Sequence, residues 1–454
     1  MIAQFVQEHL NDDTARLILD RAKWPEIDID LAVNCIESRR KLKGKVQEWY
    51  DNPGLIFPLK LSAEQCSSSA TGAFKAAYAQ SIFEQTRQAE TTRSNQKMRL
   101  ADLTGGYGVD SWSFSKVADQ VLYCEMLSVL CDAARHNFAA LGAVNIQVEN
   151  ITVSTSCHPE RSEGSPSQIL STFQPDIIYL DPARRSETGK KVFLIEECTP
   201  DVLTLKDELF TQSRNILLKL SPMADITMVC ERLGKCCREV HVVAMGGECK
   251  ELLIWMDREW SDEYTITAVE LSSHPELQCH PEFQCHPELQ CHPELQCHPE
   301  LQCHPERSEG SLRFTPSEEK SSATTIATKE DIAQAQFLFE PGKALMKAGA
   351  FNTLCQRFGL KKLGRSTHYY IIGTETPLSQ LGKTYQIISQ APLDKRSIKA
   401  AGQSYPKSEV TARNIPMDTD TLRKKLGITS GDDAHIFGLK SDTAGNLLFV
   451  TSRV

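Results

Sequence analysis

Apolar and polar positions change rhythm twice along this chain of 454 residues. In the stretch DDTARLILDRAKWPEIDIDLAVNCIESRRKLKGKVQEWY, apolar side chains recur at spacings of three and four, with Pro25 and Pro53 as breaks. That pattern predicts an N-terminal helical region over residues 1–88. From Met98 onward, short apolar runs alternate with helical patterns: MRLADL, QVLYCEM, NIQVEN, PDIIYLDP, NILLKLS, EVHVVAM and ELLIWM. Runs too short for buried helices, separated by amphipathic segments, predict a parallel sheet covered on both faces, hence a doubly wound α/β domain over 89–260. Beyond Trp260 the stretches YTITAVELSS and SLRFTP read as strands on either side of a repeated hexapeptide. After residue 330 a helix and the runs YYIIG, TYQIIS and NLLFVTS predict an α+β region of two small units.

The hexapeptide is CHPELQ, and the string CHPERSEGS occurs at 157–165 and again at 303–311. Identical peptides in unrelated contexts point to duplicated DNA rather than to a shared fold. A Pro in every unit and few apolar residues leave nothing to bury, so residues 274–310 are expected to be disordered, and residues 157–166 read as a shorter insertion from the same repeat. Zinc prefers Cys and His, but adjacent side chains of an extended chain point to opposite sides. The expected protein needs no metal. Two units could still supply one tetrahedral site between them, which keeps a metal-storage protein as a rival.

Charge changes the picture more. The formal net charge is −9, yet residues 341–454 hold 17 Lys and Arg against 8 Asp and Glu, a balance of +9, so the rest carries −18. A basic last third on an acidic body suggests a module for a polyanion; the alternative is a solvated face. Of the 16 Cys, six lie in repeat units and the other ten follow no disulfide or metal spacing, so they read as reduced thiols. The opening segment has no basic start followed by an apolar block, and no run suits a membrane helix. A cytoplasmic protein is expected.

The strongest chemical signal is LADLTGGYGVD, residues 100–110. A strand ending at Asp102 runs into Gly105, Gly106 and Gly108, which permit a tight turn and close backbone approach to a ligand. The next strand ends at Glu125, 20 residues after Gly105, where a carboxylate can accept from both ribose hydroxyls. The third strand ends at Asn150, placed to meet an adenine. Taken in order, these assign Asp102, Thr104, Gly105, Gly106, Gly108, Asp110, Glu125 and Asn150 to S-adenosyl-L-methionine.

The fourth strand leads into DPARR, residues 181–185. A short acid followed by Pro at a strand's carboxyl end resembles the D-P-P-Y or N-P-P-Y signature of methyltransferases acting on exocyclic amines, with Ala183 and Arg184 replacing Pro and the aromatic. Asp181, Pro182 and Arg184 are the candidate catalytic residues: Asp181 would orient an amine toward a sulfonium methyl. Arg185, like Arg184, could instead pair with a phosphate or stack on a base. Lys219, Ser221, Pro222 and Met223 fall at the same edge, and Glu248 and Lys250 precede another strand, their roles open. A carbon-5 mechanism would require a cysteine nucleophile, with Cys198 and Cys249 nearest in sequence.

Together EQCSSSATGAFKA, DLTGGYGVD, DPARR, KLSPMADI, ECKELL, EPGKALMKAGAF and ARNIPMDTDTLRKKLGI resemble a bacterial family of class I S-adenosylmethionine-dependent methyltransferases. Its members have an N-terminal helical region, a ferredoxin-like insert and a C-terminal THUMP-like domain. The resemblance implies a methyltransferase domain over 89–260, a ferredoxin-like domain over 261–378 interrupted by the repeats, and a THUMP-like domain over 379–454. It also implies methylation of structured RNA, rRNA or tRNA, because THUMP domains bind RNA. Lys399, Arg413, Arg423, Lys424 and Lys425 would hold the RNA backbone. The D-x-T-G-G-x-G turn is similar to that of an rRNA guanine-N2 methyltransferase family, favouring an exocyclic guanine amine. The rivals are a methyltransferase of protein or small molecules and a non-catalytic RNA-binding protein that keeps the fold. Oligomeric state is not legible in the sequence.

Overall fold

A computed structural model describes residues 1–89, 97–153, 166–184, 195–272, 311–373, 378 and 380–453. The hexapeptide array, the first CHPERSEGS copy and Arg185 lie outside the described residues. The chain divides into two compact units, Met1–Glu239 with Leu252–Asp262, and Val240–Glu251 with Glu263–Val454.

The first unit begins with six helices: α1 (Ile2–Glu8), α2 (Thr14–Leu19), α3 (Ile29–Leu42), α4 (Gln47–Asp51), α5 (Lys60–Gln65) and α6 (Ser69–Ala89). Side-chain caps fix two of the starts: Asp13 accepts from the Ala15 N–H and Asp28 from the Leu31 N–H. In α3 the residues Ile29, Ala32, Val33 and Ile36 are buried, the stripe its spacing predicts. There follow β1 (Arg99–Asp102), α7 (Val109–Phe114), β2 (Gln120–Glu125), α8 (Ser128–Ala140), β3 (Ile146–Asn150), α9 (Pro166–Phe173) and β4 (Ile177–Leu180). The short strands β5 (Ala183–Arg184) and β6 (Cys198–Thr199) pair with each other, and α10 (Val202–Gln212), β7 (Asn215–Leu220) and α11 (Ile226–Leu233) complete the alternation. The chain then runs through β8 (Cys237–Met245) and β9 (Glu248–Asp257), whose middle part, Val240–Glu251, belongs to the second unit and holds Gly246 and Gly247, both with positive φ.

Strands β3, β2, β1, β4 and β7 are neighbours in that order and all parallel. The chain therefore winds outward from β1 in both directions, and its switch point lies between β1 and β4, where ligands bind in open α/β sheets. Every residue of β4 is buried, as expected of a strand covered on both faces. The parallel run ends at β7, because β9 returns antiparallel beside it. The helical region shares a core with this layer: Trp49 meets Trp112 edge-on at 5.8 Å and Phe57 lies 5.7 Å from Tyr107. The Asn137 amide also pairs with both backbone groups of Ile56 at 2.8 Å.

In the second unit β10 (Thr265–Leu271) and β11 (Ser311–Phe314) pair antiparallel. Then come α12 (Pro316–Ser321), α13 (Lys329–Gln334), β12 (Phe337–Pro341), α14 (Lys343–Ala348), α15 (Phe351–Phe358), β13 (Lys361–Lys362), β14 (Tyr370–Ile372) and β15 (Gly382–Pro392). The last elements are α16 (Lys395–Ser404), β16 (Lys407–Arg413), α17 (Thr419–Leu426), β17 (Thr429–Ser441) and β18 (Gly445–Arg453). The two expected small units share one sheet of order β13-β14-β12-β15-β18-β17-β16, because Phe337–Pro341 pairs with Gly382–Gln386. Helices α16 and α17 pack on it through Ile398, Ala401, Leu422 and Leu426. They approach closely at Gly402, where a Cβ would lie 1.9 Å from the Leu426 carbonyl oxygen. Among the described residues no helix is long and apolar enough to cross a membrane.

Candidate active site

The site forms at the carboxyl ends of β1, β2, β4 and β7. Asp102 ends β1 almost wholly buried, its carboxylate accepting from the Thr104 N–H at 3.0 Å and the Ser111 hydroxyl at 2.6 Å. Burial pushes its pKa up to about 7; the two hydrogen bonds oppose this, and the nearby charges of Asp110 and Asp181 add to it.

The glycine turn is held from below. An added Cβ would lie 2.2 Å from the Tyr123 ring at Gly105 and 2.5 Å from the Phe138 ring at Gly108, so these positions make room for aromatic side chains of β2 and α8. Gly106, at φ +55°, has open space around it, with the nearest atom to an added Cβ at 3.9 Å. Its carbonyl accepts from the Tyr123 hydroxyl at 2.6 Å. A tight turn and a close backbone approach were expected of the three glycines; Gly106 and Gly108 adopt the positive φ of such a turn.

Asp110, expected at the cofactor, turns inward. Its carboxylate accepts from Ser67 Oγ at 2.9 Å and Tyr179 Oη at 2.8 Å and lies 3.2 Å from the Nζ of Lys75, a fully buried residue of α6. Burial alone would push the Asp110 pKa up, but the charges of Lys75 and Lys219 and the two hydrogen bonds outweigh it, and the net direction is down. Ser67 also accepts from Lys75 at 2.9 Å.

Glu125 ends β2 and ties the turn to it: one carboxylate oxygen accepts from the Gly106 N–H and the other from the Leu127 N–H, both at 2.9 Å. Each oxygen keeps a further lone pair, enough for ribose hydroxyls. Beside it Met126, Leu127 and Val129 are exposed at 59%, 43% and 44%, an apolar strip suited to a purine ring. Asn150 is Glu125's partner on β3; its amide donates to the carbonyls of Glu125 at 2.8 Å and Met126 at 3.1 Å, leaving its side-chain oxygen as the group that could meet an adenine amine. The residues present therefore fit an adenosine-bearing cofactor.

Asp181 stands at the switch point. Its N–H donates to Thr104 Oγ1 at 2.6 Å, and its carboxylate is ion-paired with Lys219 of β7. Pro182 is buried, Arg184 contributes backbone to β5, and Arg185 lies outside the described residues. Ser221 accepts from the Met223 N–H at 3.3 Å, and Met223 is exposed. Cys198 is buried in β6 opposite Arg184. In the second unit burial pushes the Cys249 thiol up to about 11, away from the thiolate a nucleophile needs, and Glu248 pairs with Lys250 at 2.7 Å.

Of the basic residues expected at RNA, Lys399, Arg413, Lys424 and Lys425 are exposed, whereas Arg423 is half-buried and donates to Ser430 at 3.0 Å and Glu409 at 3.4 Å. Ser67, Lys75 and Tyr179 had no assigned part in the site, and Lys219 had no assigned role. Two cavities, of about 230 and 400 Å³, are lined by residues at the strands' amino ends, such as Asp176 and Asn215 or Arg99 and Gln120. The crevice at the carboxyl ends is the better candidate, because the fixed polar groups converge there.

These features define a class: the first unit has the large parallel sheet of methyltransferases. The second contains a segment, 337–375, that matches a ferredoxin-like domain family, and another, 382–453, that matches a THUMP-like domain family. No curated protein matches the chain. Among solved structures, a candidate methyltransferase from Porphyromonas gingivalis is 25% identical, with 100% of this chain and 97% of that chain covered at a TM-score of 0.74. An rRNA methylase from Streptococcus thermophilus is 9% identical over 40% of this chain and 93% of its own (TM-score 0.26). A 16S rRNA N2 guanine methyltransferase from T. thermophilus is 13% identical over 41% and 43% (TM-score 0.26). At those scores neither of the last two bears on activity.

Proposed function

We propose that the protein is an S-adenosylmethionine-dependent methyltransferase acting on an exocyclic amine of a base in structured RNA, rRNA or tRNA. The observation that carries this reading is the row Thr104, Asp181 and Lys219 across β1, β4 and β7, at the switch point and beside the turn that Glu125 ties down. Glu125 would accept from the ribose, Asn150 would meet the adenine, and the backbone at Gly106 would approach the methionine part. The bound cofactor supplies an electrophilic methyl group on sulfur. Asp181 then accepts an N–H of the target amine, aiming its lone pair and stabilising the positive charge that grows on nitrogen. The full-length likeness to the P. gingivalis protein supports the reaction class. The THUMP-like match and the basic balance of residues 341–454, 17 Lys and Arg against 8 Asp and Glu, support RNA.

Transfer of a labelled methyl group into total RNA, protein and metabolite fractions tests the substrate class, with label expected in RNA. Asp181→Ala should lower turnover on the order of 100-fold, as loss of one preorganised polar group at a reacting centre does, while cofactor titration stays unchanged. Label in protein or metabolites alone refutes the RNA reading, and full transfer by Asp181→Ala refutes the amine mechanism.

A further inference from the structure

Resting on the methyltransferase reading, we propose that Lys219 is a positioning residue for the transfer. It locks Asp181 in one pose, so that a single carboxylate oxygen is presented to the incoming amine. Strands β4 and β7 are parallel with Leu180 opposite Leu218, so Asp181 and Lys219 stand side by side one step past the last paired residues. The backbone of Asp181 is fixed from β1 by the 2.6 Å hydrogen bond to Thr104 Oγ1, and its Oδ2 is fixed from β7 by the Lys219 ammonium. A free carboxylate samples many orientations; this one is held at two points, and Oδ1 is the oxygen Lys219 does not take. The Lys219 side chain is only 13% exposed, against 36% for Asp181, so the lysine is the inner member and the acid faces the crevice.

Lys219 is itself placed by charge. Its ammonium lies near Asp110 as well as Asp181, and Asp110 is in turn paired with Lys75 at 3.2 Å. Charges therefore alternate from buried Lys75 through Asp110 and Lys219 to Asp181, with Lys45 and the Cys66 thiol also facing Lys219 and Asp102 facing Asp181. Alternation gives every member an attractive neighbour, which offsets the cost of burying the Lys219 ammonium. In the reaction the amine lone pair forms the N–CH3 bond while the S–CH3 bond breaks and its electron pair stays on sulfur as a thioether. The surplus proton on nitrogen leaves toward Asp181, which already accepts its hydrogen bond. Lys219 takes no part in the proton transfer and acts only through Asp181.

The test is a double-mutant cycle on the full chain, with the RNA fraction that wild type labels as substrate. Lys219→Met should lower kcat by at least about 30-fold, with the RNA KM and cofactor affinity changed by less than about twofold, and Lys219→Arg should restore most of the loss. Adding Lys219→Met to Asp181→Asn should cost almost nothing further. A readout free of turnover is the 15N–1H spectrum of lysine ammonium groups without cofactor: a signal absent from Lys219→Met should be slow to exchange in wild type and lost in Asp181→Asn. A multiplicative double variant, a loss confined to KM, or an ammonium signal indifferent to Asp181→Asn would overturn the inference while leaving the enzyme class standing. A wild type that labels no RNA fraction overturns the parent reading and this one together.

Discussion

Asp102 makes a thermodynamic signature that can be separated from everything else in the protein. The perturbation is Asp102→Asn, which keeps an oxygen to accept the Thr104 N–H and exchanges the ionisable group for a neutral amide facing Ser111. In the folded protein the carboxyl pKa is pushed from 3.8 up to about 7. Between those values the folded state holds a proton that the unfolded chain has released, so stability falls as pH rises. The Asp102 contribution is therefore complete below about pH 4 and lost above about 7. Three pH units at about 1.36 kcal/mol each give roughly 4 kcal/mol across the window. Asparagine has no such dependence. Urea unfolding followed by tryptophan fluorescence at pH 4.5, 6 and 8, within the roughly 4 to 7 window and just beyond it, should show the variant gaining on wild type as pH rises. The shared contributions of other titrating groups cancel in the difference. A wild-type-minus-variant difference flat over that range would mean that Asp102 stays ionised, and that burial does not dominate its environment.

Three further outcomes follow from the geometry. Glu125→Ala removes the acceptor for ribose hydroxyls and the anchor of the Gly106 N–H, so cofactor affinity measured by titration should fall by roughly 1 to 3 kcal/mol. Gly105→Ala forces a methyl against the Tyr123 ring, whose hydroxyl is fixed on Gly106, and a thermal melt should report a cost of about 1 to 3 kcal/mol. Lys424→Glu with Lys425→Glu should weaken RNA binding and make the slope of log affinity against log salt shallower by about 2, leaving cofactor affinity untouched.

The seven apolar runs from MRLADL to ELLIWM correspond to β1, β2, β3, β4, β7, β8 and β9; most are buried along nearly their whole length, whereas β3, at the sheet's edge, has no buried residue. Two strands with a polar face escaped the search for apolar runs. β16, KSEVTAR, alternates exposed and buried residues, and β17 carries two adjacent aspartates in its exposed part. Strand direction is not written in apolarity, which is why β9 was not expected to run antiparallel. The cue was present nonetheless: two adjacent glycines between apolar runs mark a tight hairpin, and Gly246 and Gly247 both adopt positive φ. The joining of the last two regions into one sheet depends on β12 pairing with β15 across more than 40 residues, from Phe337–Pro341 to Gly382–Gln386, a distance over which no local pattern speaks.

The site was legible where a strand end names its residue, and illegible where a distant helix completes it. Asp102, Glu125 and Asp181 follow their apolar runs directly, so their level in the sheet was readable. Lys219 was readable by the same arithmetic: it sits as far along NILLKL as Asp181 sits past IIYL, and parallel register sets the two abreast. Lys75 was the subtler sign. In α6, Thr71, Gly72, Ala76, Tyr78, Ala79 and Ile82 form a buried stripe, and Lys75 is the lone charge within it. A charge on a core stripe must meet an opposite charge, because an unpaired buried ammonium is too costly to keep. Its partner, Asp110, lies 35 residues further along, in the first turn after the glycines. The helical region is thus built into the crevice through Ser67 and Lys75. Replacing Lys75 by methionine would leave Lys219 as the cation nearest Asp110 and draw it away from Asp181, so the cost of that one change should be read both in stability, by urea unfolding, and in the loss of the Asp181-dependent Lys219 ammonium signal.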